Sequence, residues 1–342
     1  MLANADYSTG EGASLNVNAI SAICLLNRIA FAEHEYEAAD LHVRALQKLT
    51  AQRIRQLPGF CWLIVVWADL HLTGVHVRAP YLAYYVHPEF RARPFSGIFQ
   101  SDADTYFSKT LPGGMVMSSH FKSQVIRLYE GLRELVYSFG QRDLEWTTSR
   151  GLHYEVAYLL AEFQADTDRS GTLEQGIIVV GCQMQLWGVS KPFVPQSGIQ
   201  SFQMDRLSQL IATITPRALC ARWLKFTSNL DLLLWCLMNA AGSALYQLSL
   251  STSSESTQLL PTWLQNHVTY IIELLDIVSP EDLEARMQKM PFSREWNRPA
   301  CRAFFSGPRD NGYVASDAKL LCEPNVELFR DLRLLFDSDR GT

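Results

Sequence analysis

Two runs of mostly β-branched residues, Leu63-Ile64-Val65-Val66-Trp67 and Ile177-Ile178-Val179-Val180, decide between an all-helical fold and one built on a buried sheet. Either run is short enough to be a buried strand. No repeating strand–helix–strand rhythm accompanies them, and the one Asn311-Gly312 pair lies in a polar loop rather than between alternating runs. We therefore interpret both runs as parts of central helices that are apolar on every side. The sequence predicts an all-α, irregular multi-helix domain with medium-length loops.

Helical spacing and helix start signals outside these runs agree with that prediction. Thr215-Pro216 and Ser279-Pro280-Glu281-Asp282 are typical helix starts, with a capping hydroxyl followed by proline in the first turn. Apolar residues recur at helical spacing in three further segments. Those residues are Leu128, Leu132, Leu135, Val136 and Phe139; Leu207, Leu210, Ile211 and Ile214; and Leu328, Leu332, Leu335 and Phe336.

The expected organisation is a disordered N-terminus over residues 1–15 and a single helical domain over residues 16–342. Loops are expected at 80–114, 191–201, 249–261 and 306–316. The 249–261 loop contains a low-complexity Ser/Thr tract, 251–257, which we expect to be exposed.

Composition excludes several classes of protein. The chain has 342 residues, of which 48% are hydrophobic, and a net charge of −5. That apolar content excludes a chain that is disordered throughout. The net negative charge is unlike that of a domain that binds nucleic acid through its phosphates. The seven cysteines are scattered singly with no Cys-x-x-Cys pair, so we predict buried thiols in a reducing compartment and no zinc finger.

Residues 232–254 form an uncharged stretch of 23 residues that is long enough to suggest a membrane span. Asn239, Ser243 and Gln247 fall on one side of it at helical spacing, and no Lys or Arg follows closely. A buried core helix is the better interpretation, and no contact with a membrane is expected.

Residues 166–177 resemble a calcium-binding EF-hand loop at several positions. Asp166, Asp168, Ser170 and Gly171 match its spacing, but the twelfth position, where a bidentate Glu belongs, is Ile177. A helix–helix connection rich in capping residues is the alternative that we favour.

No catalytic signature is present, and the sequence predicts no enzyme, no catalytic residue, no cofactor and no metal site. The nucleophile elbow and the His-Glu-x-x-His motif are both missing. His34, His71 and His76 are expected at surface or satisfied polar positions. Asp69 is unusual because it lies inside an apolar run, and a buried carboxylate needs a partner. We expect that partner to be Arg78 or a helix N-terminus, with a ligand contact as the minor alternative.

Several motifs in the N-terminal third resemble the fungal-specific transcription factor domain. The chain carries Leu41-His-Val-Arg-Ala-Leu-Gln-Lys-Leu49, then Val65-Val-Trp-Ala-Asp-Leu70, then Arg78-Ala-Pro-Tyr-Leu82. These are similar to that family's His-x-Arg helix, its Trp-Ala-Asp helix and the short Arg/Lys-Pro segment that follows.

The C-terminal half is similar to the same family, in the same motif order. Asp231-Leu-Leu-Leu-Trp-Cys-Leu-Met-Asn-Ala-Ala-Gly242 resembles its long apolar helix. Thr262-Trp-Leu264, Pro280-Glu-Asp-Leu-Glu284 and Cys301-Arg-Ala-Phe-Phe305 follow in family order. The resemblance spans about residues 17–306.

The resemblance implies a regulatory or effector region of a nuclear transcription factor that acts through protein partners, either the transcription machinery or a related factor. Such regions usually follow a six-cysteine zinc cluster that binds DNA, and this sequence has none, so no direct contact with nucleic acid is expected. We expect either a stand-alone domain or the regulatory half of a longer chain. The alternative is a small-molecule sensor of the same fold, with a small-molecule ligand and no direct role in transcription. The resemblance implies a nuclear location, and the cytoplasm is expected otherwise.

Overall fold

The computed structural model describes residues 17–90, 119–140, 146–189, 198–226, 230–250 and 260–305. Within these residues the chain forms twelve α-helices, two short 3-10 turns (Ile54–Gln56 and Pro88–Phe90) and no β-strand. The all-α prediction is therefore confirmed. The helices are α1 Val17–Ala32, α2 Tyr36–Thr50, α3 Gly59–Val75, α4 Ser119–Gly140, α5 Trp146–Ser170, α6 Leu173–Val189, α7 Ile199–Ile211, α8 Pro216–Phe226, α9 Asp231–Leu250, α10 Thr262–Leu274, α11 Pro280–Met287 and α12 Arg294–Ala303.

The two β-branched runs lie in the middle of α3 and α6, as predicted. In α3 only Phe60 and Ile64 are not fully buried. A helix satisfies its backbone hydrogen bonds internally, so it can be surrounded by apolar side chains without a neighbouring strand. Both helices are therefore central, and the other helices pack around them.

Most helices pack against helices that are near them in the sequence. The α1–α2 hairpin packs on α3, and α3 packs in turn against α5 and α7. Helix α6 lies among α5, α7 and α9, while α9 also contacts α10, α11 and α12. The buried apolar side chains form one continuous cluster from Ile20 to Cys301.

The predicted helix starts are confirmed. Ala218 N donates to Thr215 Oγ1 over 3.3 Å at the start of α8. Asp282 N donates to Ser279 Oγ over 3.1 Å at the start of α11. Two of the predicted apolar segments lie in the C-terminal parts of α4 and α7, although α7 ends before Ile214; the third, at 328–336, lies outside the described residues.

Helix α9 is buried from Leu232 to Leu245, which confirms the core-helix interpretation of this stretch. Asn239 and Ser243 are both fully buried and hydrogen-bonded. Asn239 Nδ2 donates to Gly181 O over 3.2 Å, and Ser243 Oγ donates to Gln200 Oε1 over 2.5 Å. None of the helices in the described ranges is long and apolar enough to cross a membrane.

The C-terminal end of α3 is buried, and two glutamines satisfy its last carbonyl groups. Gln164 Nε2, from α5, donates to Thr73 O over 2.9 Å, and Gln203 Nε2, from α7, donates to Gly74 O over 2.6 Å. A helix end without such partners leaves unsatisfied acceptors. The carbonyl groups of Thr73 and Gly74 are therefore satisfied where α3 ends.

Three further expectations concern residues outside the described ranges: the disordered N-terminus at 1–15, the Ser/Thr tract at 251–257 and the loop at 306–316. Two expected loops are shorter at their edges, because α7 begins at Ile199 and α9 continues to Leu250.

Candidate functional site

The three N-terminal motifs that carry the family resemblance meet at one place in the fold. Arg44 comes from α2, Asp69 from α3, and Arg78 and Tyr81 from the segment that follows α3. Their side chains form a continuous charged cluster, although 37 residues separate Arg44 from Tyr81 along the chain.

Asp69 is the buried end of this cluster and is only 1% exposed. Arg78 Nη1 donates to Asp69 Oδ1 over 3.0 Å, and Leu82 N donates to Asp69 Oδ2 over 2.8 Å. The expected pairing with Arg78 is therefore confirmed. Burial raises the pKa of Asp69, while the charge of Arg78 and the hydrogen bond from Leu82 act in the opposite direction.

A second carboxylate, Asp40 of α2, joins the two arginines. Arg44 Nη2 lies 2.7 Å from Asp40 Oδ2, and Arg78 Nη2 lies 3.4 Å from Asp40 Oδ1. Tyr81 Oη donates to Asp40 Oδ2 over 3.3 Å, and Arg44 Nε donates to Tyr81 Oη over 3.1 Å. The Arg78 guanidinium also lies over the Tyr81 ring, with Cζ 3.7 Å from the centroid.

These residues line an open cleft of about 450 Å³ between α2, the end of α3 and the 78–81 segment. Ligand sites are commonly 300–1,000 Å³. The lining consists of Glu37, Asp40, Leu41, Arg44, His76, Arg78 and Tyr81. It carries two carboxylates and two guanidiniums, so its formal charge is balanced.

The cleft offers charged and hydrogen-bonding groups to a ligand. Arginine offers five donors in a planar fork that suits carboxylates. Leu41, which is 66% exposed, adds an apolar surface between the charged groups.

The EF-hand-like segment does not form a calcium loop. Asp166 and Asp168 lie in the last turns of α5, and α6 already begins at Leu173, so the twelve positions do not fold around one point. Thr172 instead caps α6, since Thr172 N donates to Gln175 Oε1 over 2.7 Å and Gln175 N donates to Thr172 Oγ1 over 3.4 Å. No group of three or more potential metal ligands occurs among the described residues.

His71 departs from the expected surface or satisfied position, so that expectation was wrong. It is 6% exposed, and its Nε2 has no hydrogen-bond partner within the described part of the chain. Its ring lies 5.7 Å from Trp67 and 5.1 Å from Trp187, measured between centroids. Burial lowers the pKa of His71 to about 3. Periodicity does not reveal such a position, because a histidine interrupts an apolar helix in the same way at a surface and in a core.

His153 lies in the same aromatic cluster, with its ring centroid 4.4 Å from that of Trp67. It is fully buried, and burial lowers its pKa well below the usual range of histidine. Both imidazoles are therefore neutral in the folded chain at neutral pH.

The cysteines among the described residues are all buried and free, as predicted. Burial raises the pKa of Cys24, Cys182 and Cys301 to about 12. A thiol is a poor nucleophile until it is deprotonated, so these cysteines have a packing role. Cys322 lies outside the described residues.

One surface feature was missed by the sequence analysis. Helix α1 exposes Leu25, Leu26 and Ile29 by 59%, 49% and 52%, respectively. Its opposite face packs on α2 and α3. The sequence could have predicted this exposed apolar face, since α1 has apolar residues on all sides and Arg28 is its only charged residue.

Compared with protein-family models, curated proteins and solved structures, the chain matches none.

Proposed function

We propose that this chain is a regulatory interaction domain of the fungal transcription factor type, which acts on transcription in the nucleus through protein partners. The observation that supports the proposal is the convergence of its three N-terminal motif segments. Arg44, Asp69 and Arg78 carry those motifs, and Asp40 joins them into one charged cluster.

Charge also supports a role through proteins rather than through direct contact with DNA. The chain has 30 Lys and Arg residues against 35 Asp and Glu residues. Non-specific binding to DNA depends on neutralising phosphates with basic side chains, and an acidic chain is poorly suited to it.

A tethering experiment tests this function directly. The full chain is fused to an unrelated DNA-binding module, and a reporter with binding sites for that module is measured in a fungal host. We expect expression to change at least threefold in either direction, relative to the module alone. A fluorescent fusion of the full chain should accumulate in the nucleus.

A core variant, Leu237→Asp, is the control in this experiment. Leu237 is fully buried in α9, so a carboxylate there should unfold the chain. We expect this variant to lose the effect, because the proposal requires a folded domain. An unchanged reporter with the folded chain, or an equal effect from the unfolded variant, contradicts the proposal.

The cleft favours a second candidate function, a small-molecule sensor of the same fold. Its volume of about 450 Å³ and its mixed polar and apolar lining suit a small ligand. Binding to the folded state raises the melting temperature, so a thermal-shift screen of metabolites tests this function. No shift across a broad panel would count against it.

A further inference from the structure

The charged groups of the cleft define which ligands are suited to it. Asp40 is held by Arg44 at 2.7 Å and by Arg78 at 3.4 Å, and Arg78 is also paired with Asp69 at 3.0 Å. A purely anionic ligand would meet the carboxylates of Glu37 and Asp40. A purely cationic ligand would meet the two guanidiniums. A ligand that carries both charges can place each of them beside a group of opposite charge.

Two of the charged groups remain available to a ligand. The Glu37 side chain is exposed and makes no hydrogen bond or ion pair with any described residue. Arg44 is bonded through Nη2 and Nε, yet its side chain is still 56% exposed. Since a guanidinium has five N–H donors, Arg44 retains donors for a carboxylate.

These two groups lie on one face of α2 with an apolar residue between them. Glu37, Leu41 and Arg44 are spaced i, i+4 and i+7, so their side chains project from the same side of the helix. The backbone positions of Glu37 and Arg44 are about 10 Å apart along the axis. Leu41 is 66% exposed between them.

We propose that this cleft binds an ω-amino carboxylate, a molecule with an ammonium group and a carboxylate at opposite ends of an aliphatic chain. The ammonium contacts Glu37, the methylene groups lie along Leu41, and the carboxylate accepts hydrogen bonds from Arg44. This inference rests on the second candidate function, the small-molecule sensor, and assigns its ligand class.

Calorimetric titration of the full chain with 6-aminohexanoate tests the proposal. Hexanoate and hexylammonium are the matched half-ligands, since each keeps the chain and one of the two charges. We expect saturable binding of 6-aminohexanoate and at least tenfold weaker binding of each half-ligand. Saturation by either half-ligand with the same affinity overturns the proposal, and so does the absence of saturable binding.

Two isosteric variants locate the binding site. Glu37→Gln removes the charge that contacts the ammonium, and we expect at least fivefold weaker binding. Glu33→Gln is the control, because Glu33 is also exposed but does not line the cleft. Equal weakening in both variants, or none in Glu37→Gln, overturns the assignment. Circular dichroism of each variant verifies that the helices are intact.

The result is distinguishable from failure of the sensor function itself. If 6-aminohexanoate does not bind but the thermal-shift panel contains another ligand, the sensor function stands and the ω-amino carboxylate assignment is wrong. If neither experiment detects a ligand, both are contradicted.

Discussion

Arg78 lies between two carboxylates that come from different helices, with Nη1 3.0 Å from Asp69 Oδ1 and Nη2 3.4 Å from Asp40 Oδ1. It thereby links the buried middle of α3 to the exposed face of α2. The Asp69 side chain is only 2% exposed, whereas Arg78 and Asp40 are 18% and 14% exposed. The buried carboxylate therefore depends on Arg78 for its only nearby positive charge among the described ion pairs.

Replacing the Asp69 carboxylate by an amide should destabilise the fold, because it disrupts the pairing with Arg78. In Asp69→Asn an amide replaces the carboxylate without a change of volume, and its NH₂ group opposes the Arg78 donors. Breaking one side of a buried ion pair costs roughly 3–5 kcal/mol. Because Arg78 retains its contact with Asp40, we expect Asp69→Asn to lower the free energy of unfolding by about 3 kcal/mol, as measured by urea unfolding. Asp168→Asn is the control, since the Arg206–Asp168 pair is 3.9 Å long and Asp168 is 56% exposed. We expect Asp168→Asn to lower the free energy of unfolding by less than about 1 kcal/mol. Equal losses in the two variants would contradict this account.

Substitution by alanine should affect two glycines of α6 to very different extents. A Cβ on Gly188 would overlap the ring of Trp296, which is 1% exposed and cannot move aside. A Cβ on Gly176 would lie 3.3 Å from Leu210 Cδ1, the far end of a flexible side chain.

We expect Gly188→Ala to cost about 2 kcal/mol or more, and Gly176→Ala to change stability by less than about 1 kcal/mol, since alanine also favours the helix. Thermal unfolding followed by circular dichroism compares the two variants. A stable Gly188→Ala would show that Trp296 does not pack against α6 at this point.

A chain of buried hydrogen bonds that links α6, α5 and α3 should stabilise the fold as much as an apolar contact in the core does. Trp187 Nε1 donates to Gln183 Oε1 over 2.7 Å, Gln183 Nε2 donates to Gln164 Oε1 over 2.9 Å, and Gln164 continues to Thr73 O. Gln164→Met keeps the shape of the side chain but leaves the Thr73 carbonyl and the Gln183 amide without partners. Each such loss costs about 1–3 kcal/mol.

We therefore expect Gln164→Met to lose about 3 kcal/mol of stability in urea unfolding. Gln124→Met is the matched control, because the hydrogen bond from Gln124 Nε2 to Asp166 Oδ2, 3.2 Å long, is exposed. That variant should stay within about 0.5 kcal/mol of the parent chain. Similar losses in both would mean that burial of the amide chain is not what matters.

Mild acid should destabilise the folded chain through His71 and His153. Their pKa values are lowered in the fold, to about 3 for His71 and well below the usual range for His153. Burial is the main cause, and the positive charges of Arg28 and Arg150 add to it. The unfolded chain takes up protons near pH 6.5 while the folded chain does not, so stability falls as the pH drops below about 6.5.

For two such histidines we expect a loss of about 3 kcal/mol between pH 6.5 and pH 5. Urea unfolding at a series of pH values measures it. The double variant His71→Phe, His153→Phe keeps two rings but removes the titration, and its stability should be nearly flat across this range. Parallel curves for parent and variant below pH 6.5 would assign the acid sensitivity to other groups.

Local sequence patterns were sufficient for much of the secondary structure. The capping of α8 by Thr215 and of α11 by Ser279 depends on residues three positions apart, so both starts are readable without tertiary information. The pairing of Asp69 with Arg78 was also predictable, because a carboxylate in an apolar run needs a nearby cation. Asp40 and Arg44, at i and i+4 on α2, carried a weaker signal of the same kind.

The amino-acid sequence by itself determined that the described part of the chain is all-helical, that α3, α6 and α9 are central, and that the cysteines of this part are packing residues. Each of these follows from hydrophobic spacing and from local hydrogen bonding. Only the tertiary structure decided that Arg44, Asp69, Arg78 and Tyr81 form one charged cluster, and that His71 is buried among tryptophans. The physical reason is that such contacts join residues distant in the chain, and they depend on how helices are placed against one another rather than on any local pattern.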